Sequence, residues 1–226
     1  MLDPLDALKE KMVLVCKALQ KQRLLDGYGH VTARLPDGRI LSTPHMPPGK
    51  VTVRDLIILD REGNKLEGAG EPNGETPMHT SIYKARPDVE CILHYHPDEL
   101  VVVAAAGQEI KVIANCAVHF HRGTPIYDSP LLIRNHTLGD KVAATLGDRT
   151  AVLLRGHGGT VVASNLDMLL RRGVDFVKSA RIQIMAAPLG HVKTHSKEEC
   201  QQMAAGHDRP DASRRHVDFY ISEIFE

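Results

Sequence analysis

Apolar residues recur at helical spacing near the start of the chain. Leu8, Met12, Val15, Leu19 and Gln22 fall on one face, which predicts an amphipathic helix over residues 5–25. "DGYGH" breaks it. The period then drops to two. "HVTARLPDGRILSTP" alternates on either side of Pro36-Asp37-Gly38 and reads as a β-hairpin. "DLIILDREGNKLEG" repeats the device around Glu62-Gly63-Asn64. "TPMHTSIYKARPD" reads as a helix bounded by proline at both ends. "VECILHYHP" is a buried strand leading into the short helix "DELVVVAAAG". "KVIANCAV" and "TAVLLRGHG" read as further strands, with the helix "NHTLGDKVAATLG" between them. A long helix follows in "SNLDMLLRRGVDFVKSARIQIMAAPLG", capped by Ser164 or Asn165. The mixed order predicts an α/β fold, a sheet flanked by helices in one domain over residues 1–226. From about residue 192 the pattern turns polar, as expected for an exposed helix and a C-terminal arm.

The chain length of 226 residues is enough for one substantial core. Lys plus Arg and Asp plus Glu are 28 each, so no basic excess points to a nucleic-acid partner. Cys16, Cys91, Cys116 and Cys200 contain no CxxC pair, which argues against a zinc ribbon or a dithiol redox site. The first segment carries charges throughout, unlike a signal peptide, and no apolar run is long enough to span a membrane. The expectation is a reduced, soluble, cytoplasmic protein. The unusual count is 13 histidines against no tryptophan, which turns attention to metal and proton chemistry.

In "CILHYHPDEL", His94 and His96 are two residues apart at a strand exit, so their side chains share a face. Two imidazoles so placed make a metal half-site; the alternative is a hydrogen-bonded histidine pair. Tyr95 between them faces the other way, into the packing. "LLRGHGG" ends another apolar run in His157, flanked by glycines that let a backbone approach closely; the alternative is a plain turn. Two strand ends together give three imidazoles with open coordination positions. Glu75, at the start of the proline-bounded helix, is either a cap or a ligand and proton-transfer group.

The runs "GHVTAR", "STP", "NGETPMHTSIYKARPDVECILHYHP" and "RGHGG", in this order, resemble the class II aldolase/adducin family over residues 5 to 190. The resemblance implies an α/β/α sandwich around a mostly antiparallel sheet, and a homotetramer with active sites at subunit interfaces. It also implies one divalent metal per subunit, held by His94, His96 and His157. Glu75 takes the place of the family's acidic residue. Zinc, iron, manganese or cobalt suits such ligands.

The family's sugar-phosphate enzymes grip phosphate through three short motifs, and this chain departs from all three. It has Gly29-His30-Val31-Thr32, Thr43-Pro44-His45-Met46 and Asn73-Gly74 at those places. A phosphate dianion needs several converging donors, so a phosphorylated substrate is disfavoured. A histidine-rich, phosphate-poor site resembles the decarboxylase branch, with a small carboxylated substrate. Three residues are candidates for catalysis: Glu75, His30, and His79, which lies one helical turn from Glu75. Arg155, Thr43, and the pair His119 and His121 are candidates for substrate binding. Arg155, at a strand end, has a structural ion pair as its alternative, and Arg122 adds charge beside His121. The two histidines of "VHFHR" share a face if that segment is extended. Tyr220 is a candidate for reaching a neighbouring subunit. Competing readings are an aldolase or epimerase on a non-phosphorylated substrate, and a non-catalytic adducin-like module.

Overall fold

A computed structural model describes residues 3–207 and 210–226. Eight strands form one sheet in the order β4-β3-β2-β1-β5-β8-β7-β6. They are β1 (His30–Arg34), β2 (Ile40–Ser42), β3 (Ile57–Leu59), β4 (Lys65–Glu67), β5 (Cys91–Tyr95), β6 (Ile126–Tyr127), β7 (Ala151–Leu154) and β8 (Gly158–Ala163). All neighbours run antiparallel except β6 and β7. The helices are α1 (Pro4–Lys21), α2 (Thr76–Ala85), α3 (Asp98–Ala105), α4 (His136–Leu146), α5 (Leu166–Ala186), α6 (Lys197–His207) and α7 (Pro210–Ser222). This is the expected α/β sandwich with a mostly antiparallel centre.

Alternation along the strands builds two cores. Leu93, Tyr95, Val161 and Leu153 face α1 and α5, where Met12, Leu19, Leu169 and Phe176 are buried. Ile92, Val162 and Val152 face α2 and α4, against Met78, Ile82, Val142 and Leu146. Each such fully buried side chain contributes about 1.5–3 kcal/mol. Tyr95 lies on the α5 side as expected, and its hydroxyl donates to the Gly173 carbonyl at 2.7 Å. His94, in phase with Ile92, is therefore delivered to the α2 side.

The structure departs from the sequence reading in four places. "KVIANCAV" is not a strand: its second half is a 3-10 helix, Asn115–Phe120. The edge of the sheet is taken instead by the two-residue β6, and β8 follows His157 directly. The first helix stops at Lys21, not 25. The stretch expected as an exposed helix and an arm holds two helices, α6 and α7, and Cys200 and Val217 from it are buried in the α1–α5 core. Asn165, not Ser164, caps α5, accepting from Met168 N at 2.8 Å.

Candidate metal centre

Glu75, His94, His96 and His157 converge: one donor atom from each lies within 4.8 Å of all the others. His94 sits on β5 and His96 just beyond it, two residues apart, and their Nε2 atoms stand 3.0 Å apart. His157 arrives from the turn between β7 and β8. That turn can come close because Gly158 has φ 139° and no Cβ; a side chain there would overlap the Tyr95 carbonyl. The His96 and His157 rings stack at 4.9 Å.

Glu75 completes the group from the start of α2. It makes no capping bond to the helix. Its Oε1 accepts from Ile133 N at 2.8 Å, and its Oε2 lies 3.3 Å from His157 Nε2 and 3.5 Å from His94 Nε2. The cap reading of Glu75 is thereby set aside. Burial opposes its ionisation, but the contacts to His157 and His94 outweigh that and hold the carboxyl well below its usual range.

The donor set fits a divalent cation. Four donors about 2.1 Å from a tetrahedral centre stand about 3.4 Å apart; the His94–His96, Glu75–His157 and Glu75–His94 pairs stand at 3.0, 3.3 and 3.5 Å, and the whole set lies within 4.8 Å. The tautomers fit as well. His94 Nδ1 lies 3.1 Å from the Gly159 carbonyl, which can only accept, and 3.1 Å from Thr160 Oγ1. The proton therefore sits on Nδ1 and the Nε2 lone pair faces the other donors. Burial, then the neighbouring His94 and His157, push the pKa of His96 down to about 3, so its ring is neutral.

His30 and His79 form a second layer. His30 pairs with His94 across β1 and β5, with ring centroids 5.3 Å apart, and its ring lies 4.3 Å from that of His79. Burial holds both imidazoles well below their ordinary pKa, so both are neutral. Both candidate histidines thus stand beside the cluster.

Other candidates lie elsewhere. Thr43 is fully buried, accepting from Val31 N at 3.1 Å, so its hydroxyl ties β2 to β1 and is not offered to a substrate. His119 and His121 are not on an extended segment. They line a cavity with Val89 and Ala163, at the opposite end of β5 from His94, about 13 Å away along the strand. His119 Nε2 is 3.5 Å from Asp175 Oδ2, and His121 Nδ1 donates to its own Val118 carbonyl at 2.9 Å. Arg155 is bound to Asp128 on the surface, the ion-pair alternative. Arg122 likewise pairs with Asp148, and Tyr220 packs against the α1–α5 core of its own chain. Sequence reasoning missed Thr160, Thr32 and Tyr83. The last two were within reach: Thr32 shares the His30 face of β1, and Tyr83 lies four residues after His79 on α2.

The family described as "Class II Aldolase and Adducin N-terminal domain" matches residues 10–184. The chain belongs to this family. Among its relatives is 3,4-dihydroxyphthalate decarboxylase of Arthrobacter keyseri, 30% identical over 196 residues, covering 79% of each chain. The L-fuculose phosphate aldolase of Escherichia coli O6:H1 is 27% identical over 165 residues, covering 72% of this chain and 76% of that one. A solved L-fuculose 1-phosphate aldolase superposes with a TM-score of 0.83 at 22% identity, over 92% of this chain and 99% of its own, which establishes the fold. Decarboxylases and aldolases are both lyases, and this member of the family is an enzyme of that class. No helix among the described residues is long and apolar enough to cross a membrane.

Proposed function

We propose that the chain is a metal-dependent, non-oxidative decarboxylase. Its substrate is a hydroxylated aromatic acid of the dihydroxyphthalate type, or a carboxylated ring-cleavage product of aromatic catabolism. One observation carries the choice over a sugar-phosphate substrate. At the three places where phosphate would be gripped, the side chains at the key positions are withdrawn from that role. His30 is buried and neutral, the Thr43 hydroxyl is engaged with Val31, and Asn73 donates its amide to the Thr43 carbonyl at 2.8 Å. The similarity to 3,4-dihydroxyphthalate decarboxylase supports the same choice.

His94, His96, His157 and Glu75 would hold the cation. When bound, it supplies a Lewis acid that stabilises negative charge developing on a substrate oxygen. The bond to the carboxylate carbon breaks, carbon dioxide leaves, and the electron pair stays with the ring and its oxygen. The ring carbon then needs a proton. Glu75 Oε2 faces the cluster while Oε1 is fixed by Ile133 N. Glu75 or a neighbouring histidine delivers that proton to the carbon. His30, with His79 behind it, backs the cluster as a buried neutral pair, while Arg155 stays with Asp128 and takes no part. A homotetramer with sites at subunit interfaces, in the cytoplasm, belongs to the same reading.

The test is a release assay with hydroxylated phthalates and carboxylated muconic semialdehydes across several divalent metals. Carbon dioxide, lost on chelation, is the expected product. Equal rates in chelated and metal-loaded protein would sink the proposal. Aldehyde release from a non-phosphorylated sugar would favour the aldolase reading, which the relationship to L-fuculose phosphate aldolase keeps in play.

A further inference from the structure

Behind the cluster runs a chain of buried hydrogen bonds that none of these roles uses. Tyr83 OH is 2.9 Å from Thr32 Oγ1, and Thr32 Oγ1 is 2.8 Å from His79 Nδ1. Thr32 is 1% exposed, Tyr83 5% and His79 0%, so water does not compete for these contacts. Thr32 Oγ1 has no third partner among the described residues, so its one proton goes either to His79 or to Tyr83, and the chain can be ordered in only two ways. In one, Tyr83 donates to Thr32 and Thr32 to His79. In the other, His79 donates to Thr32, Thr32 to Tyr83, and Tyr83 to the Glu90 carbonyl.

The distances choose the first. Tyr83 OH lies 3.5 Å from the Glu90 carbonyl, at the limit of a hydrogen bond. That carbonyl already accepts from Arg34 N at 2.8 Å and has no need of a second donor. With Nδ1 accepting, neutral His79 carries its proton on Nε2. That atom is buried without a partner among the described residues, as is Nε2 of His30, whose ring is 4.3 Å away. The two rings are in direct packing contact, tilted at 41°, so the orientation of one constrains the other.

We propose that Tyr83 and Thr32 are positioning residues for the reaction. Through a one-way hydrogen-bond chain they hold His79 in its Nε2–H tautomer and fix its ring, which packs at 4.3 Å against His30 beside the metal ligands. Its kinetic consequence rests on the decarboxylase reading; its structural content does not.

Two measurements test it. In the full chain labelled with 15N,13C-histidine, the His79 signals, assigned by their loss in His79→Gln, should report a proton on Nε2 and a hydrogen-bonded, unprotonated Nδ1. A proton on Nδ1 overturns the proposal whatever the substrate proves to be. The second measurement is steady-state turnover at constant bound metal. Thr32→Val should lower kcat about tenfold, the low end for residues behind a metal site, with KM unchanged, and Thr32→Ser should restore it. Tyr83→Phe, which removes one hydroxyl and keeps the ring, should lower kcat in the same direction. Wild-type kcat in either Thr32→Val or Tyr83→Phe, or a change confined to KM, overturns the proposal. If the wild type releases no carbon dioxide from any substrate tried, the functional reading fails while the tautomer measurement still decides the chain.

Discussion

The molecule contains two nearly identical tripeptides, His94-Tyr95-His96 and His119-Phe120-His121, and only one of them makes a site. In both, the central aromatic ring is buried in the core: Tyr95 is 0% and Phe120 1% exposed. The difference is the backbone. On an extended strand the two histidines point the same way, and their Nε2 atoms meet at 3.0 Å. On the 3-10 helix Asn115–Phe120 the period is three, so positions two apart diverge. His119 goes to Asp175 and His121 back to its own turn. Histidine spacing alone therefore carries no chemistry; spacing on a known backbone period does.

The comparison can be broken most severely by truncating each pair. His96→Ala or His157→Ala should lower carbon dioxide release by at least about a hundredfold, since loss of a ligand exceeds the 10–100-fold cost of disturbing residues behind one. His121→Ala should leave the rate at the wild-type level in the same assay. Equal losses at both ends of the sheet would erase the distinction.

A second expected effect is on pH dependence. His30 and His79 are held neutral in the fold, well below their ordinary value of 6.5. Below 6.5 the unfolded chain binds protons that the folded chain refuses. Their contribution is thus full above 6.5 and is lost as pH falls through it, by up to about 1.4 kcal/mol per pH unit for each histidine. Denaturant titrations at falling pH should show this slope, and a His30→Gln/His79→Gln double variant should flatten it. An unchanged slope would mean that neither ring is buried neutral.

At the other end of the sheet, His119→Ala should cost about 1–3 kcal/mol of stability by removing a partner of the buried Asp175, with no loss of bound metal. The smallest expected effect on metal comes from Phe120→Tyr, which makes the second tripeptide identical in sequence to the first. Elemental analysis should find no second cation per chain.

Much of the fold was legible because the pattern changes period where the elements change. Helix α1, both hairpins, α2, β5 and α5 all follow from it. "KVIANCAV" misled because β-branched residues open it, but Ala114-Asn115-Cys116-Ala117 then turns into the 3-10 helix, and the histidines beyond it inherit that geometry. Strand β8 was missed because it begins with Gly158-Gly159, which weaken a strand signal; Gly158 lets the backbone pass Tyr95, and Gly159 leaves room for Phe176 and Leu100. The ligand set was legible from local spacing joined to the family resemblance. The bonds that fix it were not. Thr160 and Ile133 reach His94 and Glu75 across separations of 66 and 58 residues, which no local pattern encodes. Thr43 looked available only because sequence cannot show that Val31 already holds its hydroxyl.

The central claim is that Glu75, His94, His96 and His157 form a cation site and the other histidine pair does not. The most direct measurement is bound divalent metal per chain in the wild type, His94→Ala/His96→Ala and His119→Ala/His121→Ala, each checked for folding by circular dichroism. The account predicts one cation in the wild type and in the second variant, and none in the first. A cation retained by folded His94→Ala/His96→Ala, or lost from folded His119→Ala/His121→Ala, would contradict it.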